Sequence, residues 1–273
     1  MRVEACCEAL LRQLLPILDP QQEGLCFDVG VGTFALYCEL FAKLGFTTIA
    51  VEPLPTDRLR AVCNRNSIQL IEQCLSSDTG QQTLHIGQFA GLENTNFSSL
   101  DPDWFGSSKN TIKVNTMDLN GLLRTVGEHP ITCLKLDIEG WEPFVIAQLE
   151  KINQAQLPKL VMFEYGGGGY RHQYKKGWSE KFSSGTLRCL RTLQDLGYGH
   201  SIMVDYADGS RVKLFDLQCI DLSSETPFYR NSVYGNILTF LEYRLNSVDV
   251  DSICAPYQKG LIHSLVGKLL AGM

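Results

Sequence analysis

In the stretch Cys133-Leu-Lys-Leu-Asp-Ile-Glu-Gly-Trp-Glu142, the charged residues Lys135, Asp137 and Glu139 alternate with Leu134, Leu136 and Ile138. That period of two predicts three charges on one face of a strand end. A strand covered on both sides is nearly all apolar, so such charges belong at a sheet edge, where open α/β folds bind ligands. A carboxylate placed there can take the proton of a weak nucleophile such as a hydroxyl, which makes Asp137 and Glu139 candidate catalytic bases. His172 is a third candidate, at the end of the loop Glu164-Tyr-Gly-Gly-Gly-Gly-Tyr-Arg-His172. Four successive glycines suit a mobile cover or a close backbone approach. The structural alternative pairs Lys135 with an acid and sets Glu139 against the dipole of the next helix. Asp137, Glu139 and Glu164 also offer hard oxygen ligands to a divalent cation, but the spacing fixes no coordination number and no metal is assigned. Tyr165, Tyr170, Tyr174 and Trp178 offer an aromatic wall to a sugar ring.

A second group lies in Phe27-Asp-Val-Gly-Val-Gly-Thr-Phe34, followed by about two helical turns of mostly apolar residues and then Thr48-Ile-Ala-Val-Glu-Pro53. This reads as strand, glycine turn, helix and second strand. Gly30 and Gly32 let the backbone close around a ligand, and Glu52, twenty residues after Gly32, is placed to accept ribose hydroxyls. The spacing of Gly30, Gly32, Ala35 and Glu52 equally satisfies a dinucleotide fingerprint, so an NAD-dependent oxidoreductase stays open. Charge favours another ligand. Asp28 would repel a pyrophosphate and attract the ammonium and sulfonium of S-adenosylmethionine, although it can also simply cap the turn or helix. Pro53 and Ser76 complete the expected cofactor-binding set of Asp28, Gly30, Gly32 and Glu52.

The elements needed to position these residues are legible in outline. Strands near 25–29, 47–51, 68–75, 131–137 and 158–164 alternate with helices near 34–44, 56–66, 118–126 and 141–152, which argues for a mostly parallel sheet with helices on both faces. Residues 78–110 break the rhythm. Gln81–Ile86 is a possible strand, Gly91–Ser108 reads as a polar loop or insertion, and Thr111–Val114 is a further short strand. Asp208-Gly209 signals an antiparallel hairpin near the end, and a last strand is expected near 233–240. The expected organisation is an N-terminal helix at 1–22, a main domain at 23–245 and an amphipathic helical tail at 246–273.

The chain has 273 residues, 44% of them hydrophobic, and no apolar run long enough for a membrane span. Its net charge of −6, with no basic block, excludes a phosphate-tracking surface, so nucleic acid is not an expected partner. The N-terminus carries acids and has no continuous apolar core, so a cytoplasmic location is expected. Ten cysteines form no Cys-x-x-Cys pair and are read as reduced structural residues. The oligomeric state is open, a homo-oligomer included.

Taken together, Asp28-Val-Gly-Val-Gly32, Val51-Glu-Pro53, Val114-Asn-Thr-Met-Asp118 and Leu134-Lys-Leu-Asp-Ile-Glu-Gly140 resemble the FkbM family of S-adenosylmethionine-dependent methyltransferases. The first turn is shorter than the family's usual Asp-x-Gly-Ala-Asn-x-Gly and lacks its Asn. The resemblance implies a Rossmann-like class I methyltransferase fold with a seven-stranded sheet. It also implies Gly30 and Gly32 around the methionine part of the cofactor, Glu52 on the ribose, and O-methylation of a small hydroxylated acceptor such as a sugar, glycoconjugate or natural product. A third reading is a non-catalytic protein of the same fold that binds adenosine ligands.

Overall fold

The computed structural model describes residues 2–206, 210–245 and 249–258. Helix α1 (Arg2–Leu18) buries Val3, Cys6, Cys7, Leu10, Leu11, Leu14 and Leu15, the apolar stripe its sequence spells out. The alternating unit follows as β1 (Leu25–Val29), α2 (Leu36–Lys43), β2 (Thr48–Val51), α3 (Asp57–Arg65) and β3 (Gln69–Ile71). Short β4 (Cys74–Leu75) leads into β5 (Gly80–Phe89), β6 (Leu92–Glu93) and β7 (Ser107–Met117). The rest comprises α4 (Leu119–Val126), β8 (Ile131–Leu136), α5 (Glu142–Ile146), β9 (Leu160–Gly166), α6 (Glu180–Asp195), β10 (Tyr198–Tyr206), β11 (Ser210–Asp216), β12 (Tyr234–Leu241) and α7 (Val250–Cys254).

The main sheet has eight strands in the order β11-β10-β12-β9-β8-β1-β2-β3. From β3 to β9 every pairing is parallel, whereas β12, β10 and β11 are joined by antiparallel ladders. The expectation of seven strands is corrected to eight in mixed orientation, because β11 extends the edge by pairing with β10 from His200–Asp216 to Tyr206–Ser210. The Asp208-Gly209 turn itself, and the amphipathic stripe expected at 261–270, lie outside the described residues.

Side-chain alternation divides the core. Phe27, Leu134, Val161 and Ile237 pack with residues of α4, α5 and α6. Cys26, Cys133, Leu160, Met162 and Leu238 pack with α1, α2 and α7 on the other face. The possible strands at 81–86 and 111–114 fall within β5 and β7, which with β4 and with β6, from the stretch expected as a loop, form a second, four-stranded sheet, β4-β7-β5-β6. Its pattern hid it, since β7 exposes most of its residues and only Cys74, Leu84 and Val114 make a small buried cluster there. The expected helix at 141–152 is α-helical only over Glu142–Ile146 and tightens to a 3-10 helix over Ala147–Lys151.

Candidate functional site

The strand order reverses between β1 and β8, and in open α/β sheets the crevice outside the carboxyl ends at such a point is the ligand position. Gly30, Glu52 and Asp137 directly follow β1, β2 and β8, and Glu164 lies at the end of β9. The chain therefore gathers a glycine turn and several carboxylates along one edge.

Gly30 has φ +72°, and a Cβ there would sit 1.8 Å from the Asp137 carbonyl oxygen. Its amide donates to Val51 O at 3.0 Å, and the Asp137 amide donates to Val29 O at 3.1 Å, so three strand ends close on one another through this residue. Glu52 Oε2 accepts from the Gly32 amide at 2.9 Å and Oε1 from the Leu54 amide at 3.0 Å. Burial raises its pKa. Pro53 continues the chain, half-buried, from this carboxylate. Gly32, with φ +62°, faces Asn96, whose Oδ1 accepts from the Thr33 amide at 2.9 Å. The short turn thus receives an asparagine side chain from residues far along the sequence.

Asp28 does not meet the expectation of a free acid facing a ligand. It is 1% exposed. Oδ2 accepts from the Cys38 amide at the start of α2, at 2.8 Å, and Oδ1 pairs with Lys135 Nζ at 2.8 Å. Lys135 also donates to Gly30 O at 2.9 Å and lies over the Tyr37 ring. The reason is register: Asp28 stands directly opposite Lys135 in the parallel β1–β8 ladder, and a buried acid is stable only with such partners. Asp28 holds the turn and helix together, and Asp137, two residues beyond Lys135, is the partly exposed carboxylate beside this pair.

Asp137 lies 3.7 Å from Lys135 Nζ with its side chain 35% exposed. Oxygens of Asp137, Glu139 and Glu164 lie within 4.8 Å of one another. Glu139 has a left-handed φ of +56°. Its carboxylate accepts from Trp104 Nε1, and its carbonyl accepts from Ser99 Oγ at 2.6 Å. Burial, reinforced by the charge on Asp137, pushes the pKa of Glu139 well up, and Glu164 is raised for the same reasons with Glu139 added. Glu142 accepts from the Ile138 amide at 2.8 Å, and burial pushes its pKa up to about 7. A cavity between α5, α6 and the end of β9 adjoins this group, lined by Trp104, Glu142, Glu164, Lys181, Phe182 and Arg188.

The remaining expected residues fall elsewhere. Ser76 is buried, its hydroxyl accepting from Gln82 Nε2 at 2.9 Å and Trp141 Nε1 at 3.2 Å, while its carbonyl accepts from Gln148. His172 is exposed and stacks on Tyr170, and none of its bonds or ring contacts among the described residues reaches the carboxylates. Gly166, Gly167 and Gly168 are closed over by Trp178 and Phe105, so this stretch packs rather than covers. Tyr165 and Trp178 lie in the core against Phe228, whereas Tyr174 is exposed. Sequence reading missed Asn96 and Trp104. The available signal was the aromatic set Phe89, Phe97, Trp104 and Phe105 inside an otherwise polar segment, which stacks as a cluster.

Residues 24–199 match the family described as the methyltransferase FkbM domain. No curated protein and no solved structure matches the chain.

Proposed function

Because the chain belongs to the FkbM methyltransferase family, we propose that it moves a methyl group from S-adenosylmethionine to a hydroxyl of a small molecule, a sugar, glycoconjugate or natural product. The observation that carries this reading is the acidic edge at the reversal of strand order, where Glu52 meets the glycine turn and Asp137, Glu139 and Glu164 gather beside it. The donor set fits a cationic ligand. Lys135 is held by Asp28 and backbone carbonyls, so the net charge here is negative, and a dinucleotide diphosphate would be opposed.

When bound, S-adenosylmethionine supplies a methyl on a positively charged sulfur with a neutral thioether as leaving group. The Gly30–Gly32 turn brings backbone close to that ligand, and the Asp28–Lys135 pair fixes the turn. Each Glu52 oxygen accepts one amide bond and keeps further lone-pair capacity for ribose hydroxyls. Asp137, with its side chain 35% exposed, is placed to take the acceptor proton, while burial keeps Glu139 and Glu164 more readily protonated. Trp104 and Phe182 wall a small cavity beside Glu164, and the acceptor lies at the exposed edge next to it, against Asp137. His172 plays no part in this arrangement.

Calorimetry with S-adenosylmethionine and its demethylated product tests the donor half: micromolar binding is expected, and none up to millimolar concentration overturns the proposal. In a labelled-methyl screen over sugars and polyketides, Asp137→Asn should lower the transfer rate by about 10²–10⁴-fold while donor affinity changes only a few-fold.

A further inference from the structure

Across the carboxyl edge of the sheet, three polar side chains stand in one lateral row. Continuing the β8–β9 register one step beyond Leu136–Phe163 sets Asp137 opposite Glu164, and the β9–β12 ladder sets Glu164 opposite Asn236. Residues directly opposite in neighbouring strands project to the same face. That face is the one bearing α1, since Tyr234 and Leu238, two positions either side of Asn236, pack with Leu160 and Met162 there. Asn236 is 5% exposed, and its buried Oδ1 has no hydrogen-bond partner among the described residues. An amide oxygen left unpaired in such a place is costly unless something bonds to it.

We propose that Asp137, Glu139, Glu164 and the Asn236 amide oxygen form a binding site for one hard divalent cation of the magnesium type. Three carboxylate oxygens within 4.8 Å of one another, with the Asn236 amide directly across the ladder from Glu164, are the ligand chemistry such an ion takes. Four oxygen ligands from the chain leave two of magnesium's six octahedral positions for water. The ion answers two costs at once: mutual repulsion of the carboxylates and the orphaned amide oxygen. Lys135 does not fill that role, because its ammonium is committed to Asp28 at 2.8 Å and stands 3.7 Å from Asp137. The site needs no acceptor. One assignment rests on the methyl-transfer reading, namely that an acceptor hydroxyl becomes a further ligand. Asp137 would then ligate the ion through one carboxylate oxygen and take the hydroxyl's proton on the other, a transfer the ion would ease by lowering the hydroxyl's pKa.

The test uses the full chain, stripped with a chelator and titrated with magnesium or manganese chloride by calorimetry and by manganese paramagnetic resonance, with no methyl donor present. One saturable site at micromolar to submillimolar concentration is expected. Glu164→Gln and Asn236→Leu should each weaken it at least tenfold, while Glu72→Gln on the surface leaves it unchanged. Absence of saturable binding to the wild-type chain overturns the site. So does binding that both Glu164→Gln and Asn236→Leu leave intact, with far-ultraviolet circular dichroism confirming that each variant folds. Donor binding measured separately in chelator keeps the two readings apart: donor without cation sinks only this site, and cation without donor sinks only methyl transfer.

Discussion

At the scale of single residues, the Asp28–Lys135 pair is the most consequential contact of the site. Both side chains are almost fully buried, and their pairing in the β1–β8 ladder fixes the base of the glycine turn. Lys135→Met leaves Asp28 charged with its ammonium partner gone, and the expected loss is about 3–5 kcal/mol in urea unfolding. Asp28→Asn combined with Lys135→Met should cost clearly less than the sum of the single changes. Glu142 gives a second test through pH. Its carboxyl titrates near 4.5 ordinarily and at about 7 when buried here. Between those values the folded chain holds a proton that the unfolded chain has released, so the native state loses stability as pH rises through the window. Glu142→Gln removes that slope while its amide oxygen can still accept from Ile138. The variant should therefore be more stable than wild type at pH 8, by at most about 3 kcal/mol, and show no gain near pH 4, in chelator-treated protein.

Among the elements, Gly30 and Gly91 separate strain from collision. Both have positive φ, but a Cβ at Gly30 meets the Asp137 carbonyl at 1.8 Å, whereas at Gly91 nothing lies within 4 Å. Gly91→Ala should cost about 1 kcal/mol, and Gly30→Ala about 2–4 kcal/mol together with loss of donor binding, read by thermal unfolding and calorimetry. What the sequence could reveal follows the same division between local and distant. The stripe of α1, the strand-turn-helix around Gly30 and the acidic end of β8 are local patterns, and each is found where its periodicity sets it. The partner of Asp28 was not legible, because pairing register joins residues far apart in the chain. The second sheet was legible only in the middles of β5 and β7, for another reason. Its strands lie against solvent over most of their length, so they carry little of the apolar alternation by which strands are recognised. His172 was singled out from chain position alone, and the turn at Arg171–Gln173 aims that segment toward Arg230 and Ser232 instead.

For the molecule as a whole, the cysteines report the integrity of both core layers. Nine of the ten are buried and free, and Cys219 alone is exposed. Burial raises the pKa of Cys26, Cys38 and Cys133, which further suppresses their thiolates. An aromatic disulfide reagent should therefore titrate one thiol per native chain and ten after denaturation. Rapid reaction of several thiols in the native protein would contradict the described packing of α1 and α2 on the sheet. Among the described residues no helix is long and apolar enough to cross a membrane.

The polar excursion between β6 and β7 touches three glycine corners at once: Asn96 rests on Gly32, Trp104 on Gly140, and Phe105 on Gly167 and Gly168. Its side chains also hold the Thr33 amide and the Glu139 carboxylate. Both halves of the proposed reaction consequently share one strap of chain. Anything that lifts the strap from the donor's corner also loosens the wall on the acceptor's side, so neither partner can be accommodated without the other feeling it.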